Sequence, residues 1–323
     1  MKPWRSRWRQ ARVRARIMRG MPKVPRLSRA ASSVRTSVFA ELQRKIDAFT
    51  ARGGTLVPLQ IGDTHLAPPA AALLSSVCDV APFDAELYRY GPIAGLASLR
   101  ERAGAHLVAT GLSGIDPETQ ILVGCGATHA LFCAAKVLLE PGDEVILLSP
   151  YWPLAPGVLR VCGALPVEVA VPPRGAGAPS IDALIEAAVT PRTVAIYLIT
   201  PNNPSGRVLS RAELEAIAEV SRRFDLWVFA DEVYADFAYE RPHVSVGSLS
   251  QMSERTITAR SFSKSHALAG ARVGFIAGPA EVIAAARRVS THTVYNVPLV
   301  AQRAAVAALD EGPGWLDGAR VEY

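Results

Sequence analysis

Cysteine is scarce and poorly spaced for chemistry. Cys78, Cys125, Cys133 and Cys162 are the four thiols of a 323-residue chain. Their separations fit no metal or redox motif, and a disulfide-built fold would be unusual at this length. No metal site is expected, and a reduced, cytoplasmic setting is the default. Long apolar runs are missing too. Half the residues are hydrophobic, yet runs such as "EVILLS" and "VAIYLIT" stop well short of a bilayer span, and Gly, Pro or charge bounds each one. A membrane protein is therefore not expected. Acid is absent from the first 35 residues, which hold twelve of the 35 Lys and Arg; the rest of the chain has 23 basic against 29 acidic groups. The basic balance thus belongs to a tail.

That tail, "MKPWRSRWRQARVRARIMRG", interleaves arginine with Trp4 and Trp8. Clustered guanidinium groups reward phosphates, but no folded nucleic-acid motif follows, so residues 1–25 read as a disordered basic leader with no nucleic-acid partner. An Arg-rich transit peptide has the same composition, and Met18 and Met21 are alternative starts.

From about residue 56, short β-rich runs alternate with amphipathic stretches, the pattern of an α/β fold with a parallel sheet covered by helices. Strands are predicted at 121–124, 144–149, 166–170, 193–199, 226–230, 256–260 and 273–278. Helices are predicted at 95–108, 127–139, 181–188, 211–224, 280–290 and 298–310. In "SRAELEAIAEVSRRF", Ser210 and Glu213 have capping-box spacing, and Leu214, Ile217 and Val220 line one face. "PPRGAGAP" (172–179) reads as a loop, and "DEGPGWLDGARVEY" begins another helix at the end of the chain.

Four polar stretches fall where predicted strands end, the edge at which open α/β sheets bind ligands. In "GCGATHALF", Gly126, Ala127 and Thr128 open a helix whose unpaired N–H groups suit a phosphate, although any tight strand-to-helix turn also needs glycine. In "TPNNPSG", Asn203 is either a turn residue or a ligand. In "FADEVYADF", Asp231 and Glu232 end an apolar strand, and a carboxylate buried there needs a cation or a hydrogen-bond donor. In "SFSKSHALAGARVG", Lys264 sits among serines eight positions before Arg272.

The ordered motifs "YGPIAGLASLR", "GCGATHALF", "SPYW", "NNPSG", "DEVY" and "SFSKSHALAGARVG" resemble the class I/II pyridoxal-phosphate aminotransferases of fold type I, over about residues 27–323. The resemblance implies a mostly parallel sheet with helices on both faces and pyridoxal 5'-phosphate as cofactor. It makes Lys264 the lysine that forms the internal aldimine, because a primary amine is required both to condense with the aldehyde and to shuttle the substrate Cα proton. Asp231 matches the carboxylate facing the pyridine nitrogen, and Tyr234 and Asn203 match the pair on the phenolic oxygen. The phosphate would be held by Gly126, Ala127, Thr128, Ser261, Ser263 and Arg272, and Trp152 would stack on the ring.

Tyr90 matches a tyrosine that reaches the phosphate of the other subunit, so the resemblance implies a homodimer with shared active sites. Asn296 in "VYNVP" falls near the same contact. Gly62 in "LQIGDTHLAPP" falls in the segment that closes over substrate, with Thr64 where a proline is common nearby. His129 and His266 flank these motifs without ligand or triad spacing and read as ordinary helix or loop residues.

The implied domains are a leader (1–25), an N-terminal arm (26–55), a large cofactor domain (56–300) and the start of an incomplete small domain (301–323). Family members continue past the position of Tyr323 and carry there an arginine that clamps the substrate carboxylate, with no counterpart here. The implied reaction moves an amino group between an amino acid and a 2-oxo acid. The alternatives are another fold type I enzyme (a C–S lyase, a decarboxylase or a cyclising synthase) and a non-catalytic cofactor-binding module.

Overall fold

The computed structural model describes residues 27–323 except 58, 60, 61, 63, 79–84 and 174–178. The leader and the middle of the 172–179 loop therefore lie outside the described residues.

Seven strands form one sheet: β1 Ile121–Cys125, β2 Glu144–Ser149, β3 Leu165–Ala170, β4 Thr193–Ile199, β5 Trp227–Asp231, β6 Thr256–Ser261 and β7 Val273–Ala277. Their spatial order is β1-β7-β6-β5-β4-β2-β3. The pairs β2–β3, β2–β4, β4–β5 and β5–β6 are parallel, and β7 runs antiparallel to both of its neighbours. Two reversals cancel, so β1 runs the same way as β6 and β5. The carboxyl ends of those three strands and the amino end of β7 therefore meet at one edge, which assembles the site.

Side chains alternate faces along each strand, and the two faces are covered differently. Leu147, Tyr197, Ile199, Phe229, Ile257 and Ile276 face a cluster completed by helices Gly126–Leu138, Ala155–Val161 and Ala280–Thr291. On the reverse face, Ile146, Ile196, Leu198, Val228 and Ala230 pack against Ile181–Glu186 and Arg211–Arg223. Beside them, Ile121, Val123 and Phe275 pack against Ala97–Ala109 and Leu299–Asp310. The result is a helix–sheet–helix sandwich whose central strands are buried and largely apolar, as expected of parallel strands covered on both faces.

The predicted strands and long helices appear within two residues or so of their expected bounds. The capping box forms: Ser210 Oγ accepts the Glu213 N–H, and Glu213 returns a bond to the Ser210 N–H at 2.7 Å. The helices at Val38–Thr50 and Ala155–Val161 are additional. The first buries no residue fully, although Phe39, Leu42 and Ile46 recur on one face; the second carries Pro156 in its first turn and Gly157 beside it, which obscure its period. No helix among the described residues is long and apolar enough to cross a membrane.

Candidate active site

Register explains how distant residues meet. Cys125 pairs with Val273, and Ser261 pairs with Gly274. Gly126, Arg272 and the Ser261 turn are thus neighbours, although nearly 150 positions separate the first two. Gly274 permits the close approach: a Cβ there would lie 2.6 Å from the Ala127 nitrogen. Gly126 has φ +73°, and a Cβ on it would sit 2.5 Å from Arg272 Nη2, so the guanidinium lies directly against the first turn of helix Gly126–Leu138. No side chain caps that turn. Its N–H donors and the Arg272 charge together form an anion-binding corner. Arg272 itself is left-handed, at φ 55° and ψ 52°, which is uncommon for a non-glycine residue and tolerated where surrounding structure imposes it.

A cavity of about 230 Å³ opens at this corner, lined by Ala127, Thr128, Ser261, Ser263 and Arg272 on one side and by Trp152, Asn203, Asp231, Tyr234 and Lys264 on the other. Ser261 ends β6 and caps the short helix Phe262–Ser265, its hydroxyl accepting the Ser263 N–H at 3.1 Å. That turn carries Lys264, whose Nζ donates to the carbonyl of Gly62. Gly62 and Thr64 border a second cavity of about 390 Å³ that shares Lys264, Asn203 and Tyr234 with the first and adds Phe237, Tyr239 and Tyr323.

Asp231, at the end of β5, is 5% exposed. Tyr197 Oη donates to its Oδ2 at 2.8 Å, and the Val233 N–H approaches Oδ1 at 3.4 Å. Burial still pushes the carboxyl up to about 6, against the opposing pull of those two donors. Asn203 Nδ2 donates to the Tyr234 hydroxyl at 3.3 Å, and burial, with the nearby Asp231 charge, raises the Tyr234 phenol.

Two expected residues stand apart from the cavity. Tyr90 is 85% exposed and packs edge-on against Tyr295, with ring centroids 5.0 Å apart. Asn296 donates to the Val297 carbonyl at 3.0 Å. The two histidines also face elsewhere. His129 Nδ1 accepts the Cys125 N–H at 3.2 Å, and burial lowers its imidazole. His266 stacks on Trp315 with ring centroids 5.9 Å apart, and burial pushes it down to about 4.

Sequence reasoning missed Tyr197, which reads as one more aromatic in an apolar strand. It also missed a charged cluster behind the site. Glu232 is fully buried, with Arg260 Nη2 and His243 Nε2 at 3.1 and 3.0 Å from its Oε2, close enough to pair electrostatically but poorly angled for hydrogen bonds. The Ser245 hydroxyl donates to the other oxygen at 2.9 Å. These partners are scattered through the chain and have no motif spacing.

The cavity's demands fit pyridoxal phosphate. It offers an uncapped helix start and a guanidinium to a dianion, and a buried carboxylate of raised affinity for protons to a ring cation. It offers an amide–phenol pair to a phenolate, and a primary amine to an aldehyde.

Comparison with known proteins agrees. The sequence pattern of the family described as "Aminotransferase class I and II" matches residues 58–320. The chain is 36% identical over 274 residues to the arginine–pyruvate transaminase of Pseudomonas aeruginosa, covering 84% of this chain and 68% of that one. It is 37% identical over 221 residues to a probable aspartate/prephenate aminotransferase of Thermus aquaticus, covering 68% and 57%. Among solved structures, Thermus thermophilus aspartate aminotransferase with maleate superposes with a TM-score of 0.83 at 31% identity, over 92% of this chain and 77% of that one. The chain thus spans between about half and four-fifths of the length of these relatives.

Proposed function

The chain belongs to the class I and II aminotransferases, which are pyridoxal-phosphate enzymes acting on amino acids and 2-oxo acids, and on that premise we propose that the cavity beside Lys264 transfers an amino group from an amino acid to a 2-oxo acid. The observation that carries this reading is the convergence of Lys264, Asp231, Arg272 and the Asn203–Tyr234 pair on one cavity. Each answers a different functional group of the cofactor.

When bound, pyridoxal phosphate supplies an aldehyde that condenses with primary amines and a ring that takes up the electron pair released at the substrate Cα. The rest falls to the protein. Arg272 and the N–H groups at the start of helix Gly126–Leu138 hold the phosphate, with Thr128, Ser261 and Ser263 beside them. Asp231, ionised opposite a protonated ring nitrogen, keeps that proton in place. Asn203 and Tyr234 would hold the phenolic oxygen, and Trp152, which lines the same cavity, would pack on the ring. Lys264 Nζ is the primary amine that would anchor the cofactor through its aldehyde and, when not so engaged, would be the base placed to take and return the substrate Cα proton. Gly62, whose carbonyl Lys264 meets, then marks the substrate side.

In this reading residues 56–300 form the cofactor domain of a cytoplasmic enzyme, residues 26–55 an arm, and residues 301–323 the start of a second domain. Two copies share their sites: Tyr90, exposed and outside its own cavity, is available to a neighbour's phosphate, and Tyr88 beside it is 81% exposed.

The test is reconstitution with pyridoxal phosphate followed by single additions from an amino-acid panel. Conversion to the aminated cofactor with release of one equivalent of 2-oxo acid, reversed by a second 2-oxo acid, is expected. Release of pyruvate with ammonia, or of carbon dioxide, would overturn it in favour of a lyase or decarboxylase. Lys264→Ala should leave the fold intact, lose the pH-sensitive visible absorbance of the covalently held cofactor, and leave no borohydride-fixed cofactor on the chain; unchanged absorbance refutes the lysine's role.

A further inference from the structure

Tyr197 is buried in the sheet with its hydroxyl hydrogen-bonded to the cavity carboxylate. On β4 it pairs in register with Phe229 of β5, while Asp231 pairs with Ile199. Phe229 and Asp231 are two residues apart and share a face, so Tyr197 and Asp231 are diagonal neighbours, a separation a long aromatic side chain can span. The ring lies against Phe229, with centroids 6.4 Å apart, and is 2% exposed. Only its hydroxyl is polar, and that hydroxyl meets Asp231 Oδ2 at 2.8 Å.

A buried phenol and a buried carboxylate in this arrangement have little freedom. Oδ2 is committed to the sheet interior, whereas Oδ1 keeps only the long 3.4 Å approach of the Val233 N–H. Oδ1 is thus the oxygen with capacity left for a donor in the cavity that Asp231 lines.

We propose that Tyr197 is a positioning residue that fixes the rotation of the Asp231 carboxylate and so presents Oδ1 to the ring nitrogen of the cofactor. The proposal rests on the reading that pyridoxal phosphate binds here, but its first consequence belongs to the cofactor-free chain. A hydrogen bond to an ionised carboxylate favours ionisation, so removing it makes Asp231 harder to ionise. The other charged or titratable groups about Asp231 are Glu232 behind it, Tyr234 on the following turn, and Lys264 and Arg272 across the cavity; all stay in place when Tyr197 changes.

The test is Tyr197→Phe in the full chain, which keeps the ring and its packing. With ¹³C-labelled aspartate, and Asp231 assigned by its loss in Asp231→Asn, the Asp231 carboxyl of the cofactor-free variant should titrate about one unit or more higher than in the wild type. Pyridoxal phosphate should bind several-fold more weakly. Turnover should fall while the KM for the amino acid changes little, because the lost contact lies on the cofactor side. In an Asp231→Asn background the Tyr197→Phe change should have no further effect on cofactor affinity. An Asp231 titration and cofactor affinity matching the wild type would overturn the proposal and leave Tyr197 as core packing. If the wild type binds no pyridoxal phosphate, the functional reading fails, and the carboxyl titration still decides whether Tyr197 controls Asp231.

Discussion

Arg260→Met is the most demanding test of how the site is supported. Glu232 is 0% exposed, and the Arg260 side chain is 4% exposed with Nη2 at 3.1 Å from Oε2. At an effective dielectric of about 20, opposite charges at that distance attract by roughly 5 kcal/mol. Breaking a buried pair by removing one partner costs about 3 to 5 kcal/mol, because the remaining charge stays buried. Methionine fills much of the volume, and His243, at 3.0 Å, is a second cation when protonated. A loss near the lower end, about 3 kcal/mol, is therefore expected.

The pH dependence makes the test specific. In the wild type, burial alone would raise the Glu232 carboxyl, but the charges of His243 and Arg260 outweigh it and hold the group below the usual carboxylate range. A depressed pKa contributes stability that is present above the unfolded value and lost as pH falls through the folded value. In Arg260→Met the balance tips toward burial, and ionising Glu232 becomes a penalty that grows with rising pH. The gap between the two proteins should widen from about pH 5 to about pH 8, read as urea midpoints at unchanged slope. Glu232→Gln combined with Arg260→Met should recover part of the loss, since no charge is then stranded. A loss under about 1 kcal/mol, or one independent of pH, would refute the ion-pair reasoning.

Two further changes separate the anion corner from general stability. Gly126→Ala places a Cβ 2.5 Å from Arg272 Nη2 at φ +73°, a strain of about 1 to 2 kcal/mol, and should weaken cofactor binding about ten-fold by equilibrium dialysis; unchanged affinity would remove Arg272 from the phosphate site. Ser210→Ala loses the side-chain half of the capping box far from the cavity and should cost about 1 kcal/mol in denaturation with cofactor affinity unaltered; altered affinity would show the two regions to be coupled.

What could be read from the chain alone follows a physical division. The strands were legible because each is a short apolar run ended by Gly, Pro or charge, and the helices because their apolar positions recur on one face. Asp231, Asn203 and Lys264 end or follow such runs, but the roles expected of them, and of Arg272 just before β7, came from the ordered motifs that resemble the family rather than from position alone. Contacts between strands were not legible. The need for a partner at Asp231 is visible in "LWVFAD", but Tyr197 lies 34 positions away, in a strand where an aromatic is ordinary. Helix Ala155–Val161 was hidden by its own Pro156 and Gly157.

The adjacent carboxylates of "DEVY" show why the distinction matters for chemistry. Consecutive residues at the end of a strand point to opposite sides of the sheet, so Asp231 faces Tyr197 and the cavity while Glu232 faces Arg260, His243 and Ser245. Their acidities move in opposite directions: burial drives Asp231 up to about 6, whereas two cations hold Glu232 down. One carboxylate is already neutralised by the protein, and the other is left short of a cation. A ligand that brings a cation into the cavity therefore meets one unsatisfied partner rather than two. Burial is the main cause of the rise at Asp231, and the neighbouring Glu232 charge adds to it even with Arg260 and His243 beside that second carboxylate.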